Sequence, residues 1–142
     1  MCDINKKTKY TTRIVYKVVH KIDGNYYALY SGLPISIGKV DARWRLSKLK
    51  EDIRDNYDFS NFTTDTWFYN RNIIGKTSGF AILKAAKILK SESHREDKKI
   101  LKIKLGGEIW KGTSKNILSK YFDNYIVYAG TEILSFEEIK KE

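Results

Sequence analysis

From Arg13 to Ile22 the chain alternates residue by residue, with Ile14, Tyr16, Val18, His20 and Ile22 on one side. Arg13, Val15, Lys17, Val19 and Lys21 fall on the other. A period of two belongs to a strand, whose successive side chains point to opposite faces. The second set carries the cations and is taken as the solvent side. Asp23–Gly24–Asn25 is a turn signal, and Tyr26–Tyr30 returns as a second strand, so the fold opens on a β-hairpin. Ser31–Gly32–Leu33–Pro34 breaks that pattern, and Ile35–Val40 can form a third short strand.

Asp41 has the chemistry of an N-cap, and the period then becomes that of a helix reaching about Tyr57. Ala42, Leu46, Leu49, Ile53 and Tyr57 share its apolar stripe. Asp55–Thr66 reads as a polar loop anchored by Phe59 and Phe62, and Thr66–Tyr69 as a strand. A second helix is expected after Thr77–Ser78, with Ile82, Ala85, Ala86 and Leu89 opposite Lys84, Lys87 and Lys90. Ser91–Lys99 is a charged connector. Ile100–Leu105 alternates again, Gly106–Gly107 interrupts, and Glu108–Lys111 continues the sheet. Lys115–Phe122 is a short helix, and Tyr125–Ala129 and Ile133–Phe136 are closing strands. The pattern predicts an α+β fold: a mostly antiparallel sheet of about five or six strands, opening with a hairpin and packed against two main helices. Residues 1–10 read as a flexible basic arm and 11–142 as a single α+β domain.

With 142 residues the chain can bury a core without disulfide or metal staples. Its apolar runs, such as Ile14–Val15–Tyr16 and Phe80–Leu83, are too short to cross a bilayer, and Met1–Thr12 lacks an apolar leader core. A cytoplasmic protein is expected, with no membrane partner. Cys2 has no second cysteine to bond, and His20 and His94 make no zinc set, so neither a metal nor a cofactor is expected.

Charge is the main functional pointer. Residues 1–50 hold eleven Lys or Arg against three Asp or Glu, whereas the other ninety-two hold sixteen against fourteen. Such local excess suits nucleic acid or an acidic surface of a nucleic-acid-handling complex. Arg43, Lys50 and Arg54 line up beside the apolar stripe of the first helix, next to Trp44 and Arg45. Trp44 points nearly opposite that stripe, so it is either exposed or placed before the first helical turn. An exposed indole between guanidiniums could stack on a base; a buried one would leave the cations merely solvated. Arg13, Lys17 and Lys21 would extend this surface over the hairpin, joined by Lys102 and Lys104 if their strand lies alongside. The plain alternative is that lysines on strand faces discourage aggregation.

Gly75–Lys76–Thr77 ends a strand–loop–helix stretch, but a phosphate-binding loop needs glycine where Asn70 stands, so the stretch reads as a helix entry. Glu132, Glu137 and Glu138 are interleaved with apolar residues, as on any solvated element.

His20 or Arg13, then Thr113–Ser114, then Glu132 follow one another in an order that resembles small ADP-ribosyltransferase-like proteins. That resemblance implies NAD as cofactor and Glu132 as the late glutamate, although the Ser-Thr-Ser and Glu-x-Glu forms are missing. In its Lys-, Ile-, Asn- and Tyr-rich usage the chain also resembles small phage or mobile-element accessory proteins of the anti-CRISPR type. The latter resemblance implies a non-enzymatic binding protein that inhibits a host defence ribonucleoprotein in the host cytoplasm.

Overall fold

The computed structural model describes residues 2–29, 34–40, 76–91, 97–115 and 124–140. These form β1 (Cys2–Lys7), β2 (Arg13–Ile22), β3 (Asn25–Ala28), β4 (Gly38–Lys39), β5 (Thr77–Phe80), α1 (Leu83–Ser91), β6 (Lys98–Lys115) and β7 (Asn124–Glu138). The strands make one seven-stranded sheet in the order β1-β6-β2-β5-β7-β4, with β3 added on β2. Every strand pairing is antiparallel. Because β6 also pairs with β7, the path β6–β2–β5–β7 closes into a ring. Its narrowest link is the single pair Tyr16↔Phe80 between β2 and β5.

The long strand β6 organises the sheet. One of its edges takes β2 along Lys98–Leu105 and then β1 along Trp110–Ser114. Its other edge takes β7 throughout, with register shifts at Lys104/Leu105 and Gly106/Ile109. Gly107 sits at the bulge with φ of 69°, a left-handed conformation that suits glycine. The Glu108 N–H donates to Thr131 Oγ1 there at 3.0 Å. In the first hairpin Asp23 and Gly24 both have positive φ, the requirement of a two-residue turn that matches strand twist.

Alternation along β2 and β6 produces two cores. Val15, Val19, Leu101, Ile103, Leu105, Ile109, Tyr128 and Ile133 pack on one face of the sheet. Val18, Ile100, Phe80, Val127 and Ala129 pack on the other, where Ala85 and Ala86 of α1 cover them. The two alanines let the helix sit close. Each fully buried Ile, Leu or Val contributes about 1.5–3 kcal/mol.

Several expectations are corrected. The described fold is a mostly antiparallel sheet with one nine-residue helix, rather than an α+β domain of five or six strands on two main helices. The strand content is larger because Gly106–Gly107 bends β6 instead of ending it. Gly130 and Thr131 lie across from that bulge, so the two expected closing strands are one strand, β7. Thr77 and Ser78 belong to β5, and the second expected helix begins only at Leu83. The first ten residues are no free arm, since β1 is hydrogen-bonded to β6.

The cation-bearing side of β2 is likewise inverted. Val15 and Val19 on that side are fully buried, whereas Ile14 and Ile22 on the other are exposed. The helix expected from Asp41 to Tyr57, the loop after it, the strand Thr66–Tyr69, and all of the Lys115–Phe122 helix beyond Lys115 lie outside the described residues. No helix among the described residues is long and apolar enough to cross a membrane.

Candidate nucleic-acid interface

The described residues carry eighteen Lys or Arg against seven Asp or Glu, while the remainder of the chain carries nine against ten. The net charge of the protein thus resides in the described sheet and its connections. β6 alone contributes six lysines and one glutamate.

The most organised part of this charge lies where β6 exchanges β2 for β1. The connection from β1 to β2 must cross that gap. Its path is set by Thr8, whose N–H and Oγ1 both donate to the Ile109 carbonyl, at 2.9 and 2.7 Å. The Tyr10 N–H donates to Thr8 Oγ1 at 3.2 Å. Tyr10 is thereby folded back towards the sheet, where it meets Tyr128 edge to face, with ring centroids 6.0 Å apart and planes at 77°. Arg13 opens β2 on the face that carries Val15 and Val19. Its guanidinium carbon lies 4.8 Å from the Tyr10 centroid and 4.5 Å from that of Tyr128. Two rings therefore hold the cation by cation–π attraction. Among the described residues no carboxylate pairs with Arg13, and its N–H groups meet no acceptor.

Lys6, Lys111 and Tyr128 stand in one cross-strand row over β1, β6 and β7. Like charges directly opposite one another cost stability. Neither lysine has an ion-pair partner among the described residues. Lys6, Lys111 and Arg13 therefore form a concentrated positive rim beside a half-exposed tyrosine.

The other anticipated cations of β2 are occupied. Lys17 Nζ donates to the Ser78 carbonyl at 2.8 Å, clamping β2 to β5 beside the ring's narrowest link. Lys21 Nζ pairs with Glu138 Oε1 at 3.0 Å, and the Tyr26 hydroxyl donates to the same oxygen. The Lys21 hydrogen bond, helped by Tyr26, holds the Glu138 carboxyl below its usual range against the opposing effect of burial. Lys21 is raised by Glu138, and the Tyr26 phenol is raised first by burial. Lys102 and Lys104 do lie alongside β2 but on the opposite face, across from Tyr16 and Ile14. Arg43, Trp44, Arg45, Lys50 and Arg54 lie outside the described residues.

Lys76 is 8% exposed, and its Nζ lies 5.0 Å from the Trp110 ring centroid. Burial pushes its ammonium pKa down, with Glu108 partly offsetting this. Glu108 is itself paired with Lys7 at 2.9 Å. The Lys76–Thr77 stretch is thus a strand entry, not a helix entry.

The transferase-like set does not converge. His20, Thr113 and Glu132 fall at the registers of Lys98, Thr113 and Gly106 along β6, and the alternative first member Arg13 at Leu105 beside Gly106 still leaves Thr113 seven residues from Gly106; His20 Nδ1 is engaged by Asp97 Oδ2 at 2.9 Å. Among the described residues no group of three or more His, Cys, Asp or Glu side chains could hold a metal ion. No family model, curated protein or solved structure matches this chain.

Tyr10, Lys6, Lys111 and Tyr128 were not singled out from the sequence. Tyr10 and Arg13 are three residues apart, a local hint. Lys6 and Lys111 meet only through a pairing of chain ends more than a hundred residues apart.

Proposed function

We propose that this chain is a non-enzymatic basic binding protein that engages nucleic acid through the Lys6–Arg13–Lys111 rim. The observation that supports the reading is Arg13. Its guanidinium packs against both Tyr10 and Tyr128 while its donors meet no acceptor among the described residues, so part of the ordering cost of gripping a phosphate is already met. The like-charged pair Lys6 and Lys111 beside it gains stability when an anion lies between the two. Reversing Arg13 and Lys111 together to glutamate should abolish retention of a labelled oligonucleotide. Retention equal to wild type would defeat the proposal.

A second form of this reading takes an acidic surface of a nucleic-acid-handling complex as partner, with the protein inhibiting a host defence ribonucleoprotein in the cytoplasm. It is favoured by the opposite face, where Ile14 at 39% and Leu134 at 37% exposure accompany Lys104 in one apolar and basic patch. Affinity capture from lysate separates the two forms: a nuclease-resistant protein partner supports the second, and nuclease-sensitive capture the first.

A further inference from the structure

We infer that the nucleic acid recognised at this rim is single-stranded, and that Tyr10 is the platform on which one of its bases stacks. This rests on the proposed engagement of nucleic acid by Arg13, Lys6 and Lys111. Tyr10 is a large aromatic left 48% exposed, although two contacts hold it in place. Tyr128 meets it in a T-shaped contact and the Arg13 guanidinium lies over the ring. Its connection is pinned through Thr8 to β6. The ring is therefore held by its neighbours while nearly half of its surface stays in solvent, which suits a stacking platform.

Arg13 lies over the ring, and Lys6 and Lys111 stand in the row that reaches Tyr128. From Lys6 through Lys111 to Tyr128 that row crosses two strand spacings, roughly 10 Å. A backbone laid along it would place phosphates on the cations while a neighbouring base turns towards Tyr10. A duplex keeps its bases stacked inside and can use only the cations, whereas a single strand can use both. Arg13 supports the platform in turn, because its guanidinium packs against both rings of the Tyr10–Tyr128 pair.

The test compares a labelled single strand of about twelve nucleotides with the duplex of the same length, at fixed ionic strength, on the full chain. Wild type should bind the single strand at least about tenfold tighter than the duplex. Tyr10→Leu should lose about tenfold for the single strand and nothing for the duplex, whereas Tyr10→Trp should keep the preference. Thermal melting of each variant verifies that the sheet remains folded. Equal affinity for both forms, or a Tyr10→Leu loss shared equally by both, would overturn the inference while leaving the electrostatic reading standing. Absence of binding to either form would remove both.

Discussion

Replacing Gly79 by alanine tests the closure of the ring. A Cβ built at Gly79 would lie 2.7 Å from Val15 Cγ2, 2.9 Å from Val15 Cβ and 3.0 Å from the Tyr16 carbonyl oxygen. Carbon atoms in good contact sit about 3.5–4.0 Å apart, so β5 must retreat from β2 by roughly 1 Å. Val15 cannot yield in its place, because it is fully buried in the inner core and paired with Ile103. Retreat strains the Tyr16↔Phe80 pair and the Lys17 bond to the Ser78 carbonyl.

Overpacking of this kind costs about 1–3 kcal/mol and a weakened hydrogen bond about 1 kcal/mol. Lower entropy of the unfolded chain returns about 0.4–1 kcal/mol, leaving a net loss of about 1–3 kcal/mol. Urea denaturation should show that loss, and amide exchange at Phe80 should accelerate more than at Ile103. Val15→Ala opens space for the new methyl group, so the double variant should be more stable than the sum of the two losses predicts. A Gly79→Ala protein as stable as wild type, or strictly additive losses, would refute the closed ring.

Two further predictions concern buried charge. Lys76→Met should stabilise the fold at neutral pH by about 1 kcal/mol, since it removes a desolvated ammonium and retains contact with Trp110. Lys76 binds its proton less tightly when folded than an ordinary lysine, whose pKa is 10.5; wild-type stability should therefore gain a contribution as pH rises from the lowered folded value to the ordinary one, and the variant should lack it. A destabilised Lys76→Met protein would show that the cation–π contact outweighs desolvation. Glu138 has its pKa lowered by Lys21 and Tyr26, so its contribution is complete above pH 4.5 and lost as pH falls through the depressed folded value. Glu138→Gln should be less stable than wild type at neutral pH and show a shallower acid decline, measured by urea denaturation at several pH values; parallel curves would contradict this.

The strand β2, the turn at Asp23–Gly24 and the alternation of Ile100–Leu105 are legible in the sequence because each is a local periodicity or a local backbone requirement. Which side of β2 is buried is not. Both sides carry branched apolar residues, and the cations that suggested solvent instead reach the rim of the inner core. There Arg13 packs against two tyrosines, Lys17 caps a β5 carbonyl and Lys21 meets Glu138. Long side chains can place their heads at an edge while their stems line a core face.

The bulge at Gly107 was equally hidden, since a glycine pair reads as a strand break unless the partner strand is known. Arg13 was legible as a candidate, but its contact with two tyrosines was not. Its companions Lys6 and Lys111 come from opposite ends of the chain, and only the β1–β6 register joins them. The charge imbalance of residues 1–50 proved to be part of a larger one, because the described sheet and its connections hold the entire net charge.

The salt dependence of binding tests the central claim most directly. If Lys6, Arg13 and Lys111 each neutralise one phosphate of a single strand, the logarithm of the binding constant should fall against the logarithm of salt with a slope of about −2. Affinity should then drop about 20-fold between 50 and 200 mM salt, and Lys111→Gln should reduce the slope to about −1.4. A slope near zero, or one that Lys111→Gln leaves unchanged, would contradict the assignment of this face as the nucleic-acid interface.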